Sequence, residues 1–252
     1  MKLNKFVRDS AFYKSALAAL LMAFSRLPLP FGWLVFFGFI PLYSFFSEGR
    51  DYKTPIKAGI IFAVVYTLVS LHWISLVTVG GFIGLFFIFG LYFSLLFILI
   101  NSTWKRFPKI RFLSFLCLWI SFEYLQNFGE FSFPWFNVGY SLAEFLPLIQ
   151  IAEIGGIYLI SVLIILVSFL LWKMKHDFRK NFFMGLAIII LWSVYGIIRL
   201  KTLKIEETDT KISLVQVSVP QSLKWEENYR DSTINRYREY TQIAASQNPD
   251  LI

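Results

Sequence analysis

The stretch Phe82-Ile-Gly-Leu-Phe-Phe-Ile-Phe-Gly-Leu-Tyr-Phe-Ser-Leu-Leu-Phe-Ile-Leu-Ile-Asn101 carries no charged residue, and Lys105, Arg106, Lys109 and Arg111 follow it closely. A helix that crosses a bilayer needs about 20 predominantly apolar residues. Working outward, six further apolar blocks fall near 12–28, 31–47, 56–77, 112–128, 151–172 and 182–198. Backbone groups in lipid must pair within their own segment, so all seven blocks are expected to be helices. The first is the weakest, bounded by Lys14 and Arg26 and ended by Pro28 and Pro30, and it pairs with the second as a short hairpin. Gly80-Gly81 is expected to separate the third block from the fourth, and Pro41 to kink the second.

The loops between the blocks alternate in charge. Lys2, Lys5, Arg8 and Lys14 precede the first block, and Arg50, Lys53 and Lys57 lie between the second and third. The group at 105–111 follows the fourth, and Lys173, Lys175, Arg179 and Lys180 lie between the sixth and seventh. The intervening loops, about 26–31, 77–82 and 128–150, hold one basic residue, Arg26. Cytoplasmic loops retain Lys and Arg, so the N-terminus is expected inside and everything after about residue 200 outside.

Composition agrees with this reading. Of the 252 residues 57% are hydrophobic and 16% charged, with 29 Phe and a mean hydropathy of +0.61. A soluble domain carries roughly a quarter charged residues. The net charge of +8 sits at span ends and on no single face, so it reports topology and not nucleic-acid binding. The one cysteine, Cys117, excludes an intrachain disulfide framework, and its mid-span position reads as a buried apolar thiol. Neither His72 nor His176 has a second ligand at metal-binding spacing, and no cofactor is implied.

Asn127 to Gln150 is too long for a tight turn and holds Phe128, Phe131, Phe133, Trp135, Phe136 and Tyr140 with no Lys or Arg. So apolar a loop lies in the headgroup layer or re-enters the membrane. After Leu200 the chain turns polar. Ile212–Val219 is rich in β-branched residues and reads as a strand bounded by Pro220. Asp231–Gln247 places Ile234, Tyr237, Tyr240 and Ile243 at steps of three, an amphipathic helix with Asp231 or Ser232 as N-cap. Leu251-Ile252 reads as the start of a further strand. One βα unit cannot bury a core. The rest of such a domain is therefore expected either beyond Ile252 or from a second chain.

Several motifs occur in order: Leu71-His72-Trp73-Ile74; Leu118-Trp119 with Phe122-Glu123; Phe133-Pro134-Trp135-Phe136-Asn137-Val138-Gly139-Tyr140-Ser141; Glu153; and Val215-Gln216-Val217-Ser218-Val219-Pro220-Gln221-Ser222-Leu223-Lys224-Trp225. Over nearly its whole length the chain resembles the apolipoprotein N-acyltransferases, bacterial inner-membrane enzymes that add the third acyl chain to lipoproteins. The resemblance implies a transmembrane helical domain at 1–200, a linker at 201–210, and at 211–252 the opening β-α unit of an outward-facing nitrilase-like α-β-β-α sandwich. It implies a membrane phospholipid as acyl donor and a lipidated apolipoprotein as acceptor. The reaction runs through a thioester formed by a Glu-Lys-Cys triad: a thiolate takes the acyl group, and the α-amine of the acceptor's N-terminal cysteine then attacks it. The base of that triad falls in a Trp-Pro-Glu motif just past the strand that Leu251-Ile252 begins, so no catalytic residue of the triad is expected within this chain. Val217-Ser218 departs from the family, which usually has Gly followed by Asn or Asp at the strand end.

By the same resemblance the substrate-binding residues are Trp73, Glu123, Phe133, Trp135, Tyr140, Glu153, Gln221 and Trp225. For most of them a plainer reading stands beside this one. Glu123 and Glu153 either support the substrate entrance or sit at helix ends at the interface, where Glu153 favours the helix dipole. Trp73, Trp135 and Tyr140 either wall the acyl chains or anchor an aromatic belt. Trp225 either lies on an arm near the active site or packs as an ordinary large aromatic. The alternatives for the whole chain are a non-catalytic membrane fragment of a split enzyme, a transporter-like membrane protein, and a related membrane nitrilase fused to polyprenol-sugar synthesis.

Overall fold

Every apolar block becomes helical, for the reason that governs any chain in hydrocarbon: its amides have no water to turn to. The computed structural model describes residues 2–26, 28–49, 51–130, 132–204, 209–220, 223–224 and 226–252, with backbone only for 2–11. In chain order the helices are α1 (Lys2–Phe24), α2 (Val35–Gly38), α3 (Ile40–Ser47), α4 (Lys53–Ser70), α5 (Val79–Arg106), α6 (Arg111–Leu125), α7 (Leu146–Ile149), α8 (Ala152–Lys173), α9 (Phe178–Thr202) and α10 (Glu227–Ala245). The chain divides into two units, Met1–Thr202 and Leu203–Ile252.

Among the described residues four helices, α4, α5, α8 and α9, are long and apolar enough to cross a membrane, where seven spans are expected. The other three blocks fall short for local reasons. In α1 the apolar stretch among the residues with described side chains is Phe12–Phe24. The second block is broken at Phe39 between α2 and α3, with Pro41 in the first turn of α3. Helix α6 has 15 residues, about 22 Å of rise against a hydrocarbon core of about 30 Å. Its end is capped by the Asn127 side-chain amide, which donates to the carbonyls of Glu123 and Tyr124 at 3.1 and 3.0 Å.

Two punctuation marks sit elsewhere than expected. Gly80 and Gly81 lie inside the first turn of α5, whose N-cap is Thr78, with its hydroxyl accepting from Gly81 N–H at 3.2 Å. The break falls at Leu71–Thr78, where His72–Leu76 forms a 3-10 turn. Helix α8 is itself interrupted at Gly155-Gly156.

The core of the first unit is aromatic. Trp119 stacks on Phe115 with centroids 5.9 Å apart and meets Phe39 edge-on at 4.8 Å. Tyr43, Phe46, Phe62, Phe93 and Phe97 complete a fully buried layer. Side-chain to backbone bonds tie the helices across this layer, as polar residues do between helices in lipid. Ser15 donates to Ala58 O, Tyr43 to Ile165 O, Ser168 to Phe36 O, and Trp192 to Leu148 O, all between 2.6 and 2.9 Å. Cys117, expected to be buried, lies instead on the exposed face of α6, because the turn of the helix gives the inward positions to Phe115 and Trp119.

In the second unit α10 forms over the expected residues but starts four positions earlier. Its N-cap is therefore Glu226, without a side-chain bond, and not Asp231 or Ser232. The expected strand at 212–219 is reduced to one parallel bridge, Ile212 to Leu251, with Ser213 N–H donating to Leu251 O at 2.9 Å. A single short pair has too few ladder bonds to hold a sheet. Asp250 fastens the same spot, its carboxylate accepting from Lys211 N–H at 2.8 Å.

Candidate functional site

The segment after α6 folds back over the helix end it has just left. Phe133 N–H donates to Gln126 O at 2.9 Å and closes the return. Two 3-10 turns follow, Pro134–Phe136 and Val138–Leu142. Phe136 drives the loop into the bundle: it is 1% exposed and packs on Tyr66 and Phe93 at 4.5 and 4.6 Å. Two glycines permit the close approach. A Cβ on Gly139 would stand 2.9 Å from Ile157 O, and one on Gly32 would stand 2.1 Å from Ser141 O.

Under this loop lies Glu123, on α6, with 0% exposure. One carboxylate oxygen, Oε1, accepts from Trp119 Nε1–H at 3.1 Å and from Val138 N–H at 3.0 Å. The other, Oε2, has no hydrogen-bond partner among the described residues, nor have the Asn137 side-chain oxygen and both polar atoms of Gln126. A buried carboxylate bound only by neutral donors is costly, and such groups in membrane segments face a polar space or a substrate path. The loop is pinned by two further contacts. Gly139 N–H donates to Ser161 Oγ at 3.2 Å, and Ser141 donates to Ser25 Oγ at 2.8 Å, since the Ser25 hydroxyl proton is spent on Met22 O.

Beside this cluster opens a cavity of about 410 Å³, lined by Arg26, Leu71, Trp73, Pro134, Trp135 and Tyr140 among others. Trp73 and Trp135 face each other with centroids 5.0 Å apart. Arg26 donates from Nη1 to Asn137 O at 2.7 Å and lies over the Tyr140 ring at 5.7 Å. A second, apolar groove of about 290 Å³ runs between α5 and α6, with Leu95, Leu96, Leu99, Leu118 and Phe122 on its walls and Gln126 at its polar end.

Of the residues singled out from the sequence, Trp73, Trp135 and Tyr140 share the one cavity. Phe133 stands behind Trp135, with centroids 6.0 Å apart, and packs on Phe89. Glu123 is fully buried beneath the loop, near the end of α6. Glu153 is elsewhere: it is exposed at the start of α8, bonded to the Tyr195 hydroxyl and, at 2.6 Å, to Arg199 Nε of α9, and it lines none of the cavities described. Gln221 and Trp225 lie outside the described residues. Sequence reasoning missed Asn137, Gln126 and Ser141, and gave no role to Arg26, although Arg26 stood out as the one basic residue in otherwise uncharged loops.

Residues 18–170 match the model of the apolipoprotein N-acyltransferase N-terminal domain. The chain is 30% identical to the apolipoprotein N-acyltransferase of Geobacter metallireducens over 210 residues, 77% of this chain and 39% of that protein. It is 30% identical to the enzyme of Rickettsia typhi, covering 75% of this chain and 42% of the relative. With the enzyme of Haemophilus ducreyi the figures are 25% identity, 79% and 41%. The chain thus spans about two fifths of the length of these relatives. The match includes the aromatic loop, the buried Glu123 and the helices that hold them, and the chain belongs to the apolipoprotein N-acyltransferase family through that N-terminal domain.

Proposed function

We propose that this chain is the membrane portion of an enzyme that moves an acyl chain from a phospholipid to the N-terminal amine of a lipidated apolipoprotein. The three shorter apolar blocks complete seven crossings in this reading, which puts the N-terminus in the cytoplasm and the second unit on the outer face of the inner membrane, where that unit opens a nitrilase-like domain. The thioester-forming residues belong to that domain and are supplied outside the residues described. The observation that carries this reading is the convergence of Trp73, Trp135, Tyr140 and Arg26 on one amphipathic cavity beside the buried Glu123, in a chain of this family. Aromatic walls at this position hold acyl chains near the interface, and the apolar groove ending at Gln126 offers room for a second chain. Donor and acceptor are thereby held before the thiolate attacks the donor ester, the lysophospholipid leaves, and the acceptor amine takes the acyl group from sulfur.

The test uses the native protein purified from its own membranes with whatever chains stay bound. It is incubated with a phospholipid labelled in one acyl chain and a diacylglyceryl-cysteine peptide. Labelled N-acyl peptide and lysophospholipid in equal amounts support the reading, and no labelled peptide overturns it.

A further inference from the structure

Among the described residues Arg26 is the one cation on the wall of the aromatic cavity. It is half-buried on the wall of the aromatic cavity, and one of its five N–H donors is committed among the described residues, to Asn137 O. No carboxylate forms an ion pair with it there. Glu123, whose charge reaches it, is instead held by the Trp119 and Val138 donors. The Tyr140 ring and the Asn137 carbonyl fix the guanidinium in place, so its ordering cost is already met. A planar fork of donors, weakly hydrated and pre-set in an apolar surround, suits the paired oxygens of a phosphate. Trp73, Trp135, Leu71 and Pro134 on the same wall suit the glycerol backbone and first methylenes of a lipid.

We propose that Arg26 is the binding site for the headgroup phosphodiester of the acyl donor. This rests on the transferase reading above and deepens it. The donor carries a phosphate and the diacylglyceryl-cysteine acceptor carries none, so Arg26 tells the two lipids apart. The arginine is a specificity residue that stays clear of the transferred acyl carbon.

The full chain in neutral detergent is titrated with dipalmitoyl phosphatidylglycerol, with dipalmitoylglycerol and with inorganic phosphate, and binding is read by native mass spectrometry. The wild-type chain is expected to bind the phospholipid at least about tenfold more tightly than the diacylglycerol, the increment of one charge-assisted hydrogen-bonded pair. Arg26→Gln is expected to lose that preference while binding diacylglycerol as before, which certifies its fold, and Arg26→Lys to keep part of it. Equal binding of both lipids by the wild-type chain overturns the proposal without any variant. So does a full preference surviving in Arg26→Gln. Displacement of the phospholipid by inorganic phosphate at matching concentration assigns the site to free phosphate and overturns the lipid assignment. The titration reads no acyl transfer, so its failure and the failure of the transferase reading are separate: transfer without headgroup preference removes only the Arg26 assignment, and preference without transfer removes only the enzyme.

Discussion

Glu123 and Glu153 are the same residue type near the ends of two helices of one bundle, and they meet opposite fates. Glu153, on the surface at the start of α8, finds a guanidinium and a phenol on α9 and ties two helices together. Glu123, fully buried, finds no cation in contact. It is held by an indole and a backbone amide, with one oxygen left over beneath a loop that also leaves Asn137 and Gln126 unsatisfied. An ion-paired surface carboxylate has spent its chemistry on structure. A buried one beside a cavity that carries its own arginine keeps an oxygen without a hydrogen-bond partner among the described residues. The two sites therefore respond differently to the same substitutions.

The largest expected effect comes from removing the anchor that creates the Glu123 environment. Phe136→Ala empties a packed aromatic site and is expected to cost about 3–5 kcal/mol, read as a lowered unfolding midpoint in detergent. A midpoint equal to wild type would mean the loop is held by other contacts. Next is Glu123→Ala, which leaves the Trp119 and Val138 donors unpaired in the interior and is expected to cost about 1–3 kcal/mol. Glu123→Gln keeps an acceptor for both. It is expected to leave the level in membranes unchanged and to lower acyl transfer by the complete enzyme, and wild-type turnover in that variant would end the functional reading of Glu123. Glu153→Gln breaks an exposed tie, and its unfolding midpoint is expected to stay within measurement error of wild type. A large drop there would erase the distinction between the two carboxylates.

The smallest effect is set by pH. The Asp51 carboxyl, before α4, is held below the usual carboxylate range by its bonds from Thr54, which include the backbone amide at 3.0 Å. A lowered folded value means the stabilisation is present above the unfolded value, about 3.9, and fades as pH falls through the folded one. Wild-type chain is therefore expected to lose a small increment of stability below about pH 4 that Asp51→Asn lacks. Parallel midpoint-against-pH curves for the two would exclude it.

Much of the bundle was legible because hydropathy and helix length are local properties. All the apolar blocks are helical, and Pro41 falls where the second block breaks. What local reading does not fix is the number of crossings: four helices are long and apolar enough among the described residues. The Arg111–Leu125 segment is apolar, but it stops at 15 residues under an Asn127 cap. The tail misled for a related reason. β-branched residues at 212–219 state a preference, but a ladder needs partner strands, and Leu251 supplies one bridge. The candidate site was visible as a set of unusual residues and invisible as an arrangement. Trp73 and Trp135 are far apart in sequence, and the Ser25–Ser141 and Arg26–Asn137 bonds span more than a hundred positions. No periodicity encodes such pairings. The trace they left was an exception to the charge rule, the lone Arg26.

The proposed site puts the donor lipid against the 133–142 loop and not at the ion-paired edge of α8 and α9. A photoactivatable phospholipid carrying its probe at the glycerol backbone, crosslinked in native membranes and mapped by mass spectrometry, tests this most directly. Adducts on the Trp73, Trp135 and Tyr140 segments, lost in Arg26→Gln, are the predicted result. Adducts confined to Glu153, Tyr195 and their neighbours on α8 and α9 would contradict it.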